Sequence, residues 1–125
     1  MANPNIAAVT AIYGNTSTTS LTTTNATSLV NNAASSGKVY KINSIVVANV
    51  DGTSAADITI NIYSSAALGG SATAIASTIS VPADSTLIVT DKTTSFYLLE
   101  NKSIGAIASV ANDLVVTASW EEINQ

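Results

Sequence analysis

From Lys38 onward, the sequence is written largely in a two-residue period, and that period restricts the chain to β-structure. Asp57-Ile58-Thr59-Ile60-Asn61-Ile62-Tyr63 alternates cleanly, with Ile58, Ile60 and Ile62 pointing one way and Asp57, Thr59, Asn61 and Tyr63 the other. This is the pattern of a half-buried strand. Lys38 to Asn49 is β-branched and aromatic with partial alternation, as in a strand that changes face. Thr73 to Val81 places Ile75, Ser77, Ile79 and Val81 on one side, and Pro82 stops the run because proline cannot donate to a ladder. Thr86–Thr90, Phe96–Leu99, Ile104–Val110 and Leu114–Trp120 continue the rhythm. Asp51-Gly52 reads as a turn that uses the positive φ open to glycine, Ser64 to Ala72 as a loop, and Asn112-Asp113 as a turn joining a terminal hairpin.

That makes about seven strands at spacings near 8–12 residues, with no helical period and no short internal repeat. The expected fold is all-β, an antiparallel sandwich of jelly-roll type. A chain of 125 residues fits one such domain with its own core.

The first 37 residues differ. They carry no charged side chain, and Asn15 to Thr27 is nearly all Asn, Thr and Ser, broken by Leu21 and Ala26. Disordered tails usually carry net charge or proline. Residues 1–37 are therefore expected to form an extended N-terminal arm that holds the first strand or strands and lies on a neighbouring subunit through Ile6, Val9, Ile12, Tyr13 and Leu21, with residues 38–125 as the sandwich. The plainer alternative is a first strand followed by a polar loop.

Composition narrows the chemistry sharply. The chain has no histidine, no cysteine and no arginine, with four lysines against eight acids and a net charge of −4. Thiol catalysis, His-dependent triads and the usual zinc or copper sites are excluded. A net negative chain without arginine offers no cationic face for nucleic acid. Apolar runs such as Ile45-Val46-Val47-Ala48 are far too short for a spanning helix, and the N-terminus lacks a basic region followed by an apolar run, so neither a membrane span nor a signal peptide is expected. Sequons at Asn15, Asn25 and Asn101 are what chance gives in a Ser/Thr/Asn-rich chain.

Among possible site residues, Asn49, Asp51 and Asp57 could offer oxygen ligands to calcium, but in no defined loop spacing. Nothing in the sequence brings Glu100 together with Glu121 or Glu122 as a carboxylate pair. Gly69-Gly70 lacks a phosphate-binding pattern, and Trp120, on the apolar side of its strand, is expected in the core. No enzyme and no cofactor is expected.

Several stretches carry a resemblance. Met1-Ala2-Asn3-Pro4-Asn5-Ile6 with Ile12-Tyr13-Gly14, the run Gly37 to Ile45 followed by Ala48 to Thr53, Ile79-Ser80-Val81-Pro82-Ala83, Tyr97-Leu98-Leu99-Glu100 and Val115 to Glu122 together resemble small virion structural proteins of tailed phages, especially marine and cyanobacterial ones. The resemblance implies a β-sandwich capsid decoration or cement protein. Such a protein would be assembled in the host cytoplasm, bind the outer surface of the major capsid protein shell and associate with itself, as a homotrimer. One departure stands out: where Glu-Gly-Asp-Ser-Leu is expected, this chain has Glu100-Asn101-Lys102-Ser103-Ile104. Two alternatives stay open, a head-fibre or tail-tip module binding host glycans, and a neck or tail connector.

Overall fold

The computed structural model of the chain describes residues 4–125; Met1, Ala2 and Asn3, where the expected arm begins, lie outside the described residues. Among the described residues nine strands follow one another: β1 (Ala11–Ser20), β2 (Thr27–Asn32), β3 (Lys38–Asn49), β4 (Ala56–Ser65), β5 (Gly69–Val81), β6 (Thr86–Thr90), β7 (Phe96–Leu98), β8 (Lys102–Ala108) and β9 (Leu114–Asn124). A single 3-10 turn, Lys92–Thr94, separates β6 from β7. They form two antiparallel sheets. One has the order β1-β9-β3-β6, with short β7 also pairing with β3; the other has the order β2-β8-β4-β5. The pairing is nested, β1 with β9, β2 with β8, β3 with β6 and β7, β4 with β5, as when one long hairpin is rolled into a sandwich. This is the jelly-roll arrangement.

The core lies between the sheets. Ile42, Ile45 and Val47 of β3 and Leu114, Val116 and Ala118 of β9 face Ile58 and Ile60 of β4 and Ile104, Ala106 and Ala108 of β8, all buried. Each fully buried Ile, Leu or Val contributes about 1.5–3 kcal/mol. Trp120 packs against this cluster and stacks on Tyr40, ring centroids 6.2 Å apart, as its place on the apolar side of β9 led us to expect.

The expected division into an arm, 1–37, and a sandwich, 38–125, does not follow the architecture. Within the arm, β1 pairs with β9 over ten unbroken residue pairs and β2 pairs with β8, so each sheet takes one strand from it. Leu21, expected on a neighbouring subunit, is 1% exposed and belongs to the core. Its N–H bonds the Leu114 carbonyl and its own carbonyl accepts from Asn112 N–H, which turns the chain inward after β1.

Four smaller expectations are also corrected. The last two strands do not form a hairpin: β8 and β9 lie in different sheets, and residues 109–113 cross between them. The segment expected as a loop from Ser64 to Ala72 is a tight hairpin, because β5 begins at Gly69. Register shifts between β4 and β5, with Thr78 at φ 50°, break the expected face of β5, so that Val81 is buried while Ile75 and Ile79 remain 40% exposed. Gly52 does not use a positive φ. Side chains hold that turn instead: Asn49 Oδ1 accepts from Asp51 N–H, and Asp51 Oδ2 accepts from Ser54 N–H at 2.7 Å.

Candidate functional site

Two buried amides, Asn32 and Asn49, are occupied in holding backbone. Asn32 Nδ2 donates to the carbonyls of Lys38 and Leu98, and its Oδ1 accepts from Ser36 Oγ. Asn49 Nδ2 donates to the carbonyls of Ser54 and Val81, and its Oδ1, the atom a cation would use, accepts from Asp51 N–H. The Asp91 carboxylate caps the 3-10 turn, and hydrogen bonds from the Thr93 hydroxyl and then its N–H hold its pKa below the usual value.

The hairpin between β4 and β5 is a second clamp. Ala67 and Leu68 both sit at positive φ, 56° and 60°, which side chains with a Cβ seldom adopt. Three consecutive N–H groups of this turn are bound from outside: Ala66 by Asn101 Oδ1, Ala67 by Asn31 Oδ1, Leu68 by Ser103 Oγ. Leu68 lies over Gly105, where an added Cβ would come within 2.7 Å of it. The departure from the resembled family therefore falls on a structural contact, since Asn101 takes φ 57° itself and supplies one of these acceptors.

A shallow groove of about 310 Å³ opens beside this hairpin, lined by Ile62, Tyr63, Ser64, Ser71, Thr73 and Lys102. Lys102 Nζ donates to the Ser64 carbonyl at 3.2 Å. The carboxylates considered as a pair are dispersed. Glu100 accepts from Gly37 N–H, Glu122 pairs with Lys38 at 3.4 Å, and Glu121, the next residue of β9, faces the other side of the sheet. Among the described residues no group of three His, Cys, Asp or Glu side chains could hold a metal ion.

What remains is surface. Of the expected contact residues, Ile6, Ile12 and Tyr13 are more than half exposed and Val9 is half-buried. Ile12 and Tyr13 point to opposite sides of β1: Tyr13 sits opposite Glu122 on the inner side, Ile12 opposite Ile123 on the outer side. Ile123 pairs in turn with Val39, and both are nearly buried although they lie outside the core cluster. Exposed Ile12 thus ends a short apolar row.

The next row on the outer face of the five-stranded sheet, Gly14, Glu121, Lys41 and Tyr97, holds one acid and one base; beyond it three further rows carry no charge. Thr16 lies opposite Ser119, and Ser119 opposite Ser44; Thr18, Thr117, Val46 and Ile88 form the next row, and Ser20, Val115, Ala48 and Thr86 the last. Sequence reading missed this surface, because its residues come from four separated strands. The visible signal was the lack of charge in residues 1–37. Tyr13 and Tyr97, the exposed aromatics of this sheet, stand on its two opposite edges.

Comparison with known proteins gives one likeness, in fold. No protein-family model matches the chain, and neither does any curated protein. A solved chain from Bacillus endospore appendages, which form a novel family of disulfide-linked pili, is similar in structure, with a TM-score of 0.53 and 18% sequence identity over 90% of this chain and 88% of that one. The likeness supports the β-sandwich. The present chain has no cysteine, so it has no means of disulfide linkage.

Proposed function

We propose that this protein is a non-enzymatic structural subunit that works by covering or joining other protein surfaces, and specifically that it decorates the head of a tailed phage by binding the outer surface of the major capsid protein. The observation that carries the reading is the uncharged patch on the outer face of the five-stranded sheet, the rows from Thr16 to Ser20 beyond the Glu121–Lys41 row and up to four strands wide, on a chain of net charge −4. Such a face can be covered by another protein with little cost of stripping water from ions. The buried side chains support the same reading, since they stabilise the chain's own turns rather than converge on a cleft. The particular partner and the place on the virion rest on the resemblance in residues 1–6, 12–14, 37–45, 48–53, 79–83, 97–100 and 115–122. Many copies, each binding modestly, would stabilise the shell together.

A second reading, an appendage subunit that polymerises without disulfides, is favoured by the likeness to the endospore appendage chain. Copy number separates the readings. Purified phage particles should contain this chain at parity with the major capsid protein or at a small whole-number fraction of it, by quantitative mass spectrometry. A single ring's worth of copies would move it to the neck or tail, and filaments formed by the purified chain alone would favour the appendage reading.

A further inference from the structure

The four sheet edges are not equally protected. A free edge presents unpaired N–H and C=O groups, and proteins blunt such edges with charge, proline, bulges or brevity. Edge strand β2 is bulged between Ser28 and Val30, β5 is shifted at several points, β6 has five residues and β7 three. Strand β1 has none of these devices. It is ten residues long, uncharged, free of proline, and pairs with β9 without a register shift.

Its hydrogen-bonding direction follows from the register. The Leu21 N–H bonds the Leu114 carbonyl at 2.9 Å, so odd-numbered residues of β1 turn their main chain toward β9. Ile12, Gly14, Thr16, Thr18 and Ser20 then direct theirs toward the open edge. Among the described residues β1 pairs with β9 alone. One polar atom on this strand also lacks a partner: Ser17 Oγ, on the core-facing side opposite Ala118, is buried without a hydrogen bond.

We infer that the open edge of β1 pairs with β1 of a second copy of this chain, antiparallel and centred on Thr16, joining two five-stranded sheets into one. This register uses every outward main-chain group. Thr16 faces Thr16 of the second copy, Gly14 faces its Thr18 and Ile12 its Ser20, giving about ten N–H···O=C bonds, two per facing pair. It keeps both core faces on the same side of the joined sheet and sets Ser17 opposite Asn15 of the second copy, at a Cα separation of about 4.5 Å. That amide can serve the unpartnered hydroxyl.

Charge favours a second copy as the occupant. Nothing in residues 1–37 is charged, so two molecules of the same sign meet along neutral strands. The nearest carboxylates across the sheet, on β9 of each copy, stay three strand spacings apart, about 14 Å and beyond the screening length at physiological salt. The contact is isologous and closes as a dimer. It does not depend on which particle the protein serves.

The absence of cysteine makes the register directly readable. Paired Thr16 Cα atoms would lie about 5.5 Å apart, within disulfide range. Thr16→Cys should therefore cross-link to a covalent dimer under mild oxidation, whereas Ser20→Cys, which faces Ile12, should not. Equal cross-linking of the two variants overturns the register. By analytical ultracentrifugation the unmodified chain should be a dimer; a monomer at high micromolar concentration, or a trimer, overturns the proposal. Thr16→Lys and Thr16→Glu lie on the exposed face and should each keep the native circular dichroism while associating about tenfold more weakly or worse. Mixing the two should restore a dimer of one Lys and one Glu variant. Failure of the mixture to associate, or unchanged association of either variant alone, refutes β1 pairing.

Discussion

Asn49 shows how this chain uses its amides. Its side chain is 3% exposed at the end of β3 and satisfies three backbone groups, the carbonyls of Ser54 and Val81 and the N–H of Asp51. Truncation leaves these groups without that partner in a site with little water. Asn49→Ala should therefore cost about 2–4 kcal/mol, more than a surface hydrogen bond, as measured by urea unfolding. Asn32 holds the carbonyls of Lys38 and Leu98 in the same way. Sequence could locate the turn after Asn49, through Asp51-Gly52, but gave it a glycine mechanism. The real one is side-chain capture of backbone, which depends on Val81, thirty-two positions away, and so has no local signature. The Ala67-Leu68 turn was hidden for a related reason. Its positive φ angles are held by Asn31, Asn101 and Ser103 from other strands, so no turn-forming dipeptide is needed at its apex.

At the scale of elements, strands whose inner face is apolar were legible. β3, β4 and β9 carry Ile, Val or Leu at inward positions, and the alternation shows. β1 was ambiguous because its inward positions include Asn15, Ser17 and Thr19, opposite Trp120, Ala118 and Val116. At a sheet edge the inner face is only half-covered, so polar residues are tolerated there and the period vanishes. The consequence is testable. A detachable arm could be deleted without harm, but β1 covers the whole length of β9 and leads into core residue Leu21. Removing residues 11–20 should unpair ten residues of β9 and leave a chain that unfolds at much lower urea or does not fold. A deletion variant with a native spectrum and native midpoint would restore the arm reading.

For the whole molecule, one titration should be visible in global stability. Tyr40 lies on the core-facing side of β3, its pKa raised first by burial and then by the neighbouring Glu122 carboxylate, to which it hydrogen-bonds. The folded state thus holds the phenolic proton more tightly than the unfolded chain does. Below the ordinary tyrosine value of 10.0 this contribution is fully present; as pH rises the unfolded chain ionises first, and stability is lost through the folded pKa. Tyr40→Phe should flatten the alkaline limb of the unfolding midpoint against pH, while losing about 0.5–1.5 kcal/mol at neutral pH with the Glu122 hydrogen bond. The class and the seven strands from Lys38 onward were readable from the sequence, but the nested pairing was not, because it joins the first strand to the last. That closure also sets an order of events during synthesis. β9 leaves the ribosome after every other strand, so at about 5–20 residues per second β1 waits some 5–20 s for its partner. Through that interval it is an exposed, unpaired segment beside other growing chains. A threonine- and asparagine-rich β1 that stays hydrated while it waits is what allows a fold fastened by its two ends to be made one residue at a time.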